Sequence, residues 1–558
     1  MPGRRTPGVK GTGEADARRG PRFAATGAAT GILAAGAALG AGELAAGVLG
    51  TASPVIVVGD ALVDNSPAWA KEFAIAVFGV YDKIALLAGM YAAIVLLAAV
   101  LGLLALRRPV IGYIGLAVFA VVGAVAVAAR RADEPLALVP VVVGALAGEA
   151  ALLLLLRAAR RPGPARPEAG ASGEPGDADA QSVSADAAAG GPRRGRSAGI
   201  PQAASSRRSF LVAGAGVLAF AGAAGGLGRY LASGVGIAEK RAALRLPPAA
   251  DPLPSLPRGA DLGIRGLPPF TTPNRDFYRI DTALSVPRVD PDRWLLRIHG
   301  LVDRPLELDY DALLRRRLVE SDTTLTCVSN QVGGDLVGNT RWLGVRLDDL
   351  LREAGVHSGA DQILSTSQDG WTCGTPTEAV LDGRDALLAI AMDGEPLPFA
   401  HGFPVRMVVP GLYGFVSATK WVTDIRLTRF SDARAYWAQR GWAVKAPIKT
   451  MSRIDVPGPL AEVDAGPTTV AGAAWAQRRG IEAVEVRADG GPWREADLAD
   501  VPGIDTWVQW SAEFDLEPGR HTFEVRATDN SGYTQTEERA EPIPDGATGW
   551  HSVQITTV

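Results

Sequence analysis

Two thiols and five imidazoles are the groups in this sequence best able to bind a metal or move electrons. The thiols are Cys327 and Cys373; the imidazoles are His299, His357, His401, His521 and His551. No Cys-x-x-Cys pair and no His-x-x-x-His spacing occurs, which excludes a zinc finger or ribbon. Two cysteines close at most one disulfide, so the chain is not a disulfide-stapled scaffold. Cys327 stands in Thr324-Leu325-Thr326-Cys327-Val328-Ser329-Asn330, after a β-branched, apolar stretch and before a polar one containing Gly333, Gly334 and Gly338. This pattern predicts a thiol at a strand end, facing a loop. From the residues alone three fates are open to it: a buried structural thiol, a disulfide with Cys373, or a thiolate metal ligand.

The elements that must position such a site fall into two halves. At 558 residues the chain exceeds a single core. Net charge is −4, and the arginine clusters lie beside apolar runs and are not interleaved with aromatics, so composition argues against a nucleic-acid partner. Before about residue 230, apolar runs alternate with arginine-rich joints. A bilayer core takes about 20 apolar residues of helix. The runs Ala24–Gly50, Ile84–Leu106, Val110–Ala129, Leu136–Leu156 and Phe210–Leu227 reach that length and predict five spans. Glu43 and Glu149 fall inside spans, where an acid is expected to lie near an interface or face a partner helix. No histidine lies in a span, so the bundle predicts no haem, with Met90 the remaining candidate axial ligand.

Positive charge sets the orientation. Arg4, Arg5, Lys10, Arg18, Arg19 and Arg22 precede the first span, Arg107 and Arg108 follow the second, and Arg157, Arg160, Arg161 and Arg166 follow the fourth. Arg193, Arg194, Arg196, Arg207 and Arg208 precede the fifth. All fall on one side if the N-terminus is cytoplasmic, against the minority vote of Arg130 and Arg131. Everything after about Arg229 is then expected outside the cytoplasm. Residues 158–206 are rich in Pro, Gly, Ala, Ser, Asp and Arg and predict a disordered cytoplasmic linker. The linker ends in Ser206-Arg207-Arg208-Ser209-Phe210-Leu211, which resembles an internal twin-arginine export signal, although positive-inside flanking alone also gives two arginines there.

Past a proline-rich joint (Pro247, Pro248, Pro252, Pro254, Pro257) short strands and helices mix. Trp294–His299 and Pro404–Pro410 predict strands; Tyr310–Arg316, opened by Asp309, and Leu347–Ala354, closed by Gly355, predict helices. From about residue 430 the pattern is all-β. Val484–Ala488 and His521–Ala527 alternate around turns at Asp489-Gly490-Gly491 and Asp529-Asn530-Ser531-Gly532, predicting an immunoglobulin-like sandwich.

Several segments together resemble the sulfite-oxidase family of molybdopterin-dependent oxidoreductases. They are Thr272-Pro273-Asn274-Arg275-Asp276-Phe277-Tyr278-Arg279, Leu325–Asn330 around Cys327, Thr340-Arg341-Trp342-Leu343-Gly344-Val345, and Asp393–Pro398 leading to His401-Gly402-Phe403-Pro404-Val405-Arg406 and Lys420-Trp421. Ser452–Asp455, Gly472–Ala476 and Val484–Trp493 fit the family's second domain. Composition and charge divide the first part into a cytoplasmic tail (1–22), a four-span bundle (23–157), a linker (158–206), a fifth span (207–229) and a joint (230–255). The resemblance implies that an α+β molybdopterin-binding domain (256–430) and an immunoglobulin-like dimerisation domain (431–558) follow.

It also implies that Cys327 is the thiolate ligand of molybdenum. Asn274, Tyr278, His401, Arg406, Ser417 and Lys420 hold the pterin, and Arg279 is the substrate-side cation. The implied activity is extracytoplasmic two-electron redox chemistry, oxygen-atom transfer on a small, sulfur-type oxyanion. Electrons pass to a separate cytochrome or quinone-linked partner. Two departures bear on substrate. Asn330-Gln331-Val332-Gly333-Gly334 lacks the basic residue that sulfite oxidases carry after the cysteine, and Trp371 stands about where the family has an active-site tyrosine. Alternatives are a reductase of sulfoxides such as oxidised methionine, and a membrane-tethered scaffold that kept the fold without the chemistry.

Overall fold

The structure is a computed structural model that describes residues 20–67, 73, 77–78, 82–129, 136–160 and 203–558. The linker expected at 158–206 therefore lies mostly outside the described residues, as do most of the flanking arginines of the N-terminal tail and Arg130 and Arg131. The described residues form two compact units, one ending at Ser233 and one spanning Gly234–Val558.

Unit one is helical: α1 (Pro21–Leu49), α2 (Pro54–Asn65), α3 (Asp82–Arg107), α4 (Pro109–Ala129), α5 (Val139–Arg160) and α6 (Ala203–Ala232). Among the described residues five helices are long and apolar enough to cross a membrane. Their bounds differ from expectation at the ends. The fourth starts at Val139, not Leu136, and runs to Arg160, whose guanidinium donates to the carbonyl of Ala105 at 2.8 Å and thereby caps α3. The fifth extends beyond Phe210–Leu227 at both ends. The short α2 was not anticipated. Its Ser53 cap donates to Glu43 at 2.5 Å, so this acid within an apolar helix has a polar partner. Helix α1 packs on small residues. A Cβ at Gly31 would overlap the backbone of Ala98, one at Gly40 would meet Ala221, and one at Gly47 would meet Gly228. Glycines at those positions let neighbouring helices approach to backbone contact.

Unit two opens on helix α7 (Val235–Ala243), whose Arg241 donates to the carbonyls of Pro396 and Leu397 at 2.6 and 2.7 Å. Strands β1 (Leu295–Gly300), β2 (Leu306–Asp309), β3 (Leu318–Thr326), β4 (Val337–Arg346), β5 (Gln362–Ser367), β6 (Thr372–Pro376), β7 (Leu387–Met392), β8 (Glu395–Pro396), β9 (Arg406–Val408) and β10 (Val422–Thr428) follow. They form two sheets, ordered β2-β1-β10-β5-β6 and β3-β4-β7-β8, with β9 also on β7. The first is antiparallel except where β1 runs parallel to β10. Short helices α8 (Tyr310–Leu314), α9 (Leu347–Ala354) and α10 (Thr377–Leu381) join them.

The expected helix Tyr310–Arg316 stops at Leu314, and the expected strand Pro404–Pro410 is reduced to β9, because only its middle pairs with β7. Leu347–Ala354 forms as read: its leucines are buried and Gly355 caps it at φ +72°.

The remainder is β-rich. Strands β11 (Met451–Val456), β13 (Gly466–Trp475), β17 (Val508–Leu516) and β16 (Asp497–Leu498) make one sheet. Strands β12 (Glu462–Val463), β19 (His551–Thr557), β18 (Gly519–Asp529), β14 (Ile481–Ala488) and β15 (Arg494–Glu495) make the other. Alternating side chains from both, among them Val470, Val484, Val486, Trp510, Phe514, Phe523, Val525 and Val553, share one apolar core.

Candidate active site

Cys327 directly follows β3, as its sequence context predicts. Its N–H donates to the carbonyl of Leu336 at 2.9 Å, its carbonyl accepts from Asn330 at 3.1 Å, and the side chain is buried. Cys373, on β6, is also buried, and both thiols are free, which removes the disulfide alternative. Burial holds the Cys327 thiol above its ordinary pKa, while hydrogen bonds from the N–H and hydroxyl of Ser329, and the charge of Lys420, pull the other way. Two donors from Ser329 are therefore already aimed at the sulfur. Cys373 is pushed up to about 11 by burial, with only hydroxyl and backbone neighbours opposing it.

Opposite stands a cationic wall. Arg406, at the start of β9, is buried; it donates to the carbonyl of His401 at 3.2 Å and lies over the Trp342 ring at 4.9 Å. Among the described residues no carboxylate pairs with it. Burial lowers it to about 10. His401 is buried with its ring against Phe277 at 5.7 Å, and hydrogen-bonds to the Asn274 backbone. Burial, then Arg406 and Lys420, lower it to about 3, so the imidazole is neutral. The turn between the two is made by Gly402 at φ +110°, where a Cβ would meet Arg406 Cβ at 2.9 Å and Lys420 Cα at 3.2 Å. Only glycine lets those three segments close together there.

Lys420 donates to Asp281 at 2.7 Å and to the Ala400 carbonyl at 3.1 Å, and burial lowers it to about 8. Arg279, partly exposed, holds the same carboxylate at 2.8 Å. Asp281 is the positioning residue that sequence reasoning missed: its spacing from Arg279 is a local signal, but its pairing with Lys420 crosses 139 positions. Tyr278 stacks on Phe277 at 5.3 Å, and its phenol is raised by burial first and by the nearby Cys327 second. Asn274 donates to the Met392 carbonyl at 3.1 Å, while its Oδ1 is buried without a partner. Ser417 differs from the rest. Its hydroxyl donates to the carbonyls of Leu412 and Tyr413, both at 3.0 Å, and so ties the loop rather than facing the cationic wall.

This set fits a large anionic group with a soft metal. Arg279, Arg406 and Lys420 place three cations against the single carboxylate of Asp281, leaving two positive charges to be met. An orphaned buried acceptor, a neutral imidazole and a donor-flanked thiol complete it. Trp371 caps the turn between β5 and β6, and its indole N–H is buried without a partner.

Comparison with known proteins agrees with this chemistry. Residues 283–437 match the oxidoreductase molybdopterin binding domain. The uncharacterized oxidoreductase YuiH of Bacillus subtilis is 35% identical over 156 residues, covering 28% of this chain and 75% of that protein. The mitochondrial sulfite oxidase of Drosophila melanogaster is 29% identical over 350 residues, covering 52% of this chain and 60% of that one. The chain thus spans less than two thirds of that sulfite oxidase. Among solved structures, the sulfane dehydrogenase SoxCD from Paracoccus pantotrophus is similar at 24% identity and a TM-score of 0.43, over 48% of this chain and 74% of that one.

Proposed function

The chain belongs to the sulfite-oxidase-type family of molybdopterin-dependent oxidoreductases, and from that premise we propose that it is a membrane-anchored enzyme acting outside the cytoplasm on a small oxyanion, with Cys327 ligating molybdenum. The observation that carries this reading is that Cys327, with donors from Ser329, and a buried Arg406 that no described carboxylate neutralises both act on Tyr278. A buried guanidinium left uncompensated is costly, and an anionic phosphate would meet it bidentately.

Asn274, Tyr278, His401, Arg406 and Lys420 would hold the pterin, and Ser417 would shape the loop beside it. Bound there, the cofactor supplies two-electron redox chemistry. The protein's own contribution is positional. Neutral His401 can accept or donate one hydrogen bond without adding charge. Lys420 and Arg279, tied by Asp281, present fixed cations to an anionic substrate or to the cofactor. Arg279 is the more exposed of the two and takes the substrate side. On this proposal residues 256–430 form the molybdopterin domain and residues 431–558 an immunoglobulin-like one through which the chain dimerises. The five apolar helices anchor it, with a cytoplasmic N-terminus, and a separate electron-transfer protein accepts or supplies the electrons.

Turnover tests the substrate class. Purified enzyme assayed with an artificial electron acceptor should oxidise sulfite or a related sulfur oxyanion, with Arg279→Gln raising KM more than it lowers kcat. Turnover of methionine sulfoxide with a reduced dye, and none of any oxyanion, would reverse the direction and reject this proposal.

A further inference from the structure

Cys327 sits in a short segment, Thr324–Leu336, whose two ends are both gripped by side chains and backbone from the β-rich C-terminal region. On the strand side, Gln477 is buried and its Nε2 donates to the Thr324 carbonyl at 2.9 Å. The Thr324 N–H donates to the Asp505 carbonyl at 2.9 Å, and its hydroxyl accepts from Trp507 N–H at 2.8 Å. On the loop side, Arg453 is buried and its Nη1 donates to the Gly334 carbonyl at 3.0 Å. Gly333 has φ +78°, and a Cβ there would overlap the ring of His551, whose Nδ1 accepts from the Ile454 N–H at 2.9 Å. Between the grips the segment closes on itself, with Cys327 N–H on Leu336 and Leu336 N–H on Asn330 Oδ1, both at 2.9 Å.

Burying an amide and a guanidinium costs free energy unless their hydrogen bonds are well made. Here Gln477 Nε2 and Arg453 Nη1 each donate to a main-chain carbonyl flanking one thiol, while Arg453 Nε pairs with Asp455 and Gln477 Oε1 is buried without a partner; an apolar contact could not fix the same register. We propose that Gln477 and Arg453 are positioning residues for Cys327: the C-terminal region holds the backbone on both sides of the thiol and so sets where its sulfur lies. The C-terminal region is on this account a working part of the site as well as an oligomerisation surface. The proposal rests on the reading of Cys327 as metal ligand.

Asp455 pairs with Arg453 at 2.9 Å, so removing Arg453 alone would strand a half-buried carboxylate. The test therefore compares Asp455→Asn, which keeps the bond to Gly334, with Arg453→Met/Asp455→Asn, which loses it, in the full-length cofactor-loaded enzyme. Amide hydrogen exchange at 328–336 should quicken about tenfold in the double variant, while that of β13 and β17 stays unchanged. The visible thiolate-to-metal absorption should shift, and kcat should fall about tenfold with KM little changed. Arg453→Lys, which can still reach Gly334, should restore much of each. Exchange and absorption in the double variant identical to Asp455→Asn would overturn the proposal. Should the double variant not fold, Gln477→Ala is read on the amides of Thr324–Thr326, where faster exchange supports the clamp and unchanged exchange refutes it. Absence of molybdenum from Asp455→Asn as well as wild type would instead sink the ligand reading, while the exchange rates still decide the clamp.

Discussion

Arg406 and Cys327 are the residues on which the cofactor reading depends most. A charge-assisted pair to a buried guanidinium contributes about 1.5–3 kcal/mol. Arg406→Met should therefore weaken pterin retention roughly 10- to 100-fold, read as cofactor fluorescence released after gel filtration. Arg406→Lys should recover only part of this, because an ammonium cannot bind phosphate bidentately. Retention unchanged in Arg406→Met would move the phosphate site elsewhere. Two histidines carry a second prediction. His401 is lowered to about 3 and His551 to about 4, against about 6.5 in an unfolded chain. Between those values the unfolded state binds more protons, so stability present above pH 6.5 is lost as pH falls toward 4. The melting temperature of the wild type should drop more steeply over that interval than that of His551→Gln; parallel curves would show that His551 is not buried neutral.

At the scale of elements, the strands and turns decide what is brought together. Gly402 lets the His401 turn close on Arg406 and Lys420, and a side chain at φ +110° costs on the order of 1–3 kcal/mol. Gly402→Ala should lower the melting temperature and release cofactor together, measured on one sample by thermal scan and pterin assay; a stable variant with full cofactor would contradict the packing described. Much of the scaffold was readable because its signals are local. Glycine closes α9 at Gly355, period-two alternation marks β14 and β18, and the β-branched run before Cys327 marks β3. The cofactor candidates Asn274, His401 and Arg406 were legible only as a family resemblance, since each alone reads as a turn donor or a surface charge. Asp281 and the grip of Gln477 and Arg453 on the Cys327 segment were not legible, because those contacts join positions more than a hundred residues apart. Ser417, like Asn274, His401 and Arg406, was legible only through the family resemblance, as a pterin contact; its hydroxyl also donates to the loop's own carbonyls. The strand expected over Pro404–Pro410 was too long because prolines bound a segment without saying how much of it finds a partner.

For the whole molecule, two compact units and five apolar helices set the next prediction. The proposed orientation, argued from positive-inside bias, has the N-terminus in the cytoplasm and Gly234–Val558 outside. Alkaline phosphatase fused after Val558 should be active and a fluorescent protein fused there dark, the opposite holding for fusions at the N-terminus. The reverse pattern would place the catalytic unit inside. Arg207→Lys/Arg208→Lys should trap folded, cofactor-loaded protein in the cytoplasm if the internal twin-arginine motif is the export route, and export unchanged would leave these two residues as charge flanking alone.

Every role proposed for the site turns on Cys327 as the molybdenum ligand. The most direct test of that assignment is metal and pterin analysis of wild-type protein beside Cys327→Ser, both made in a host that produces the cofactor. About one molybdenum per chain is expected in the wild type, with redox turnover and the thiolate-to-metal absorption lost in the variant. Molybdenum absent from the wild type, or a Cys327→Ser protein that keeps both turnover and that absorption, would contradict the account.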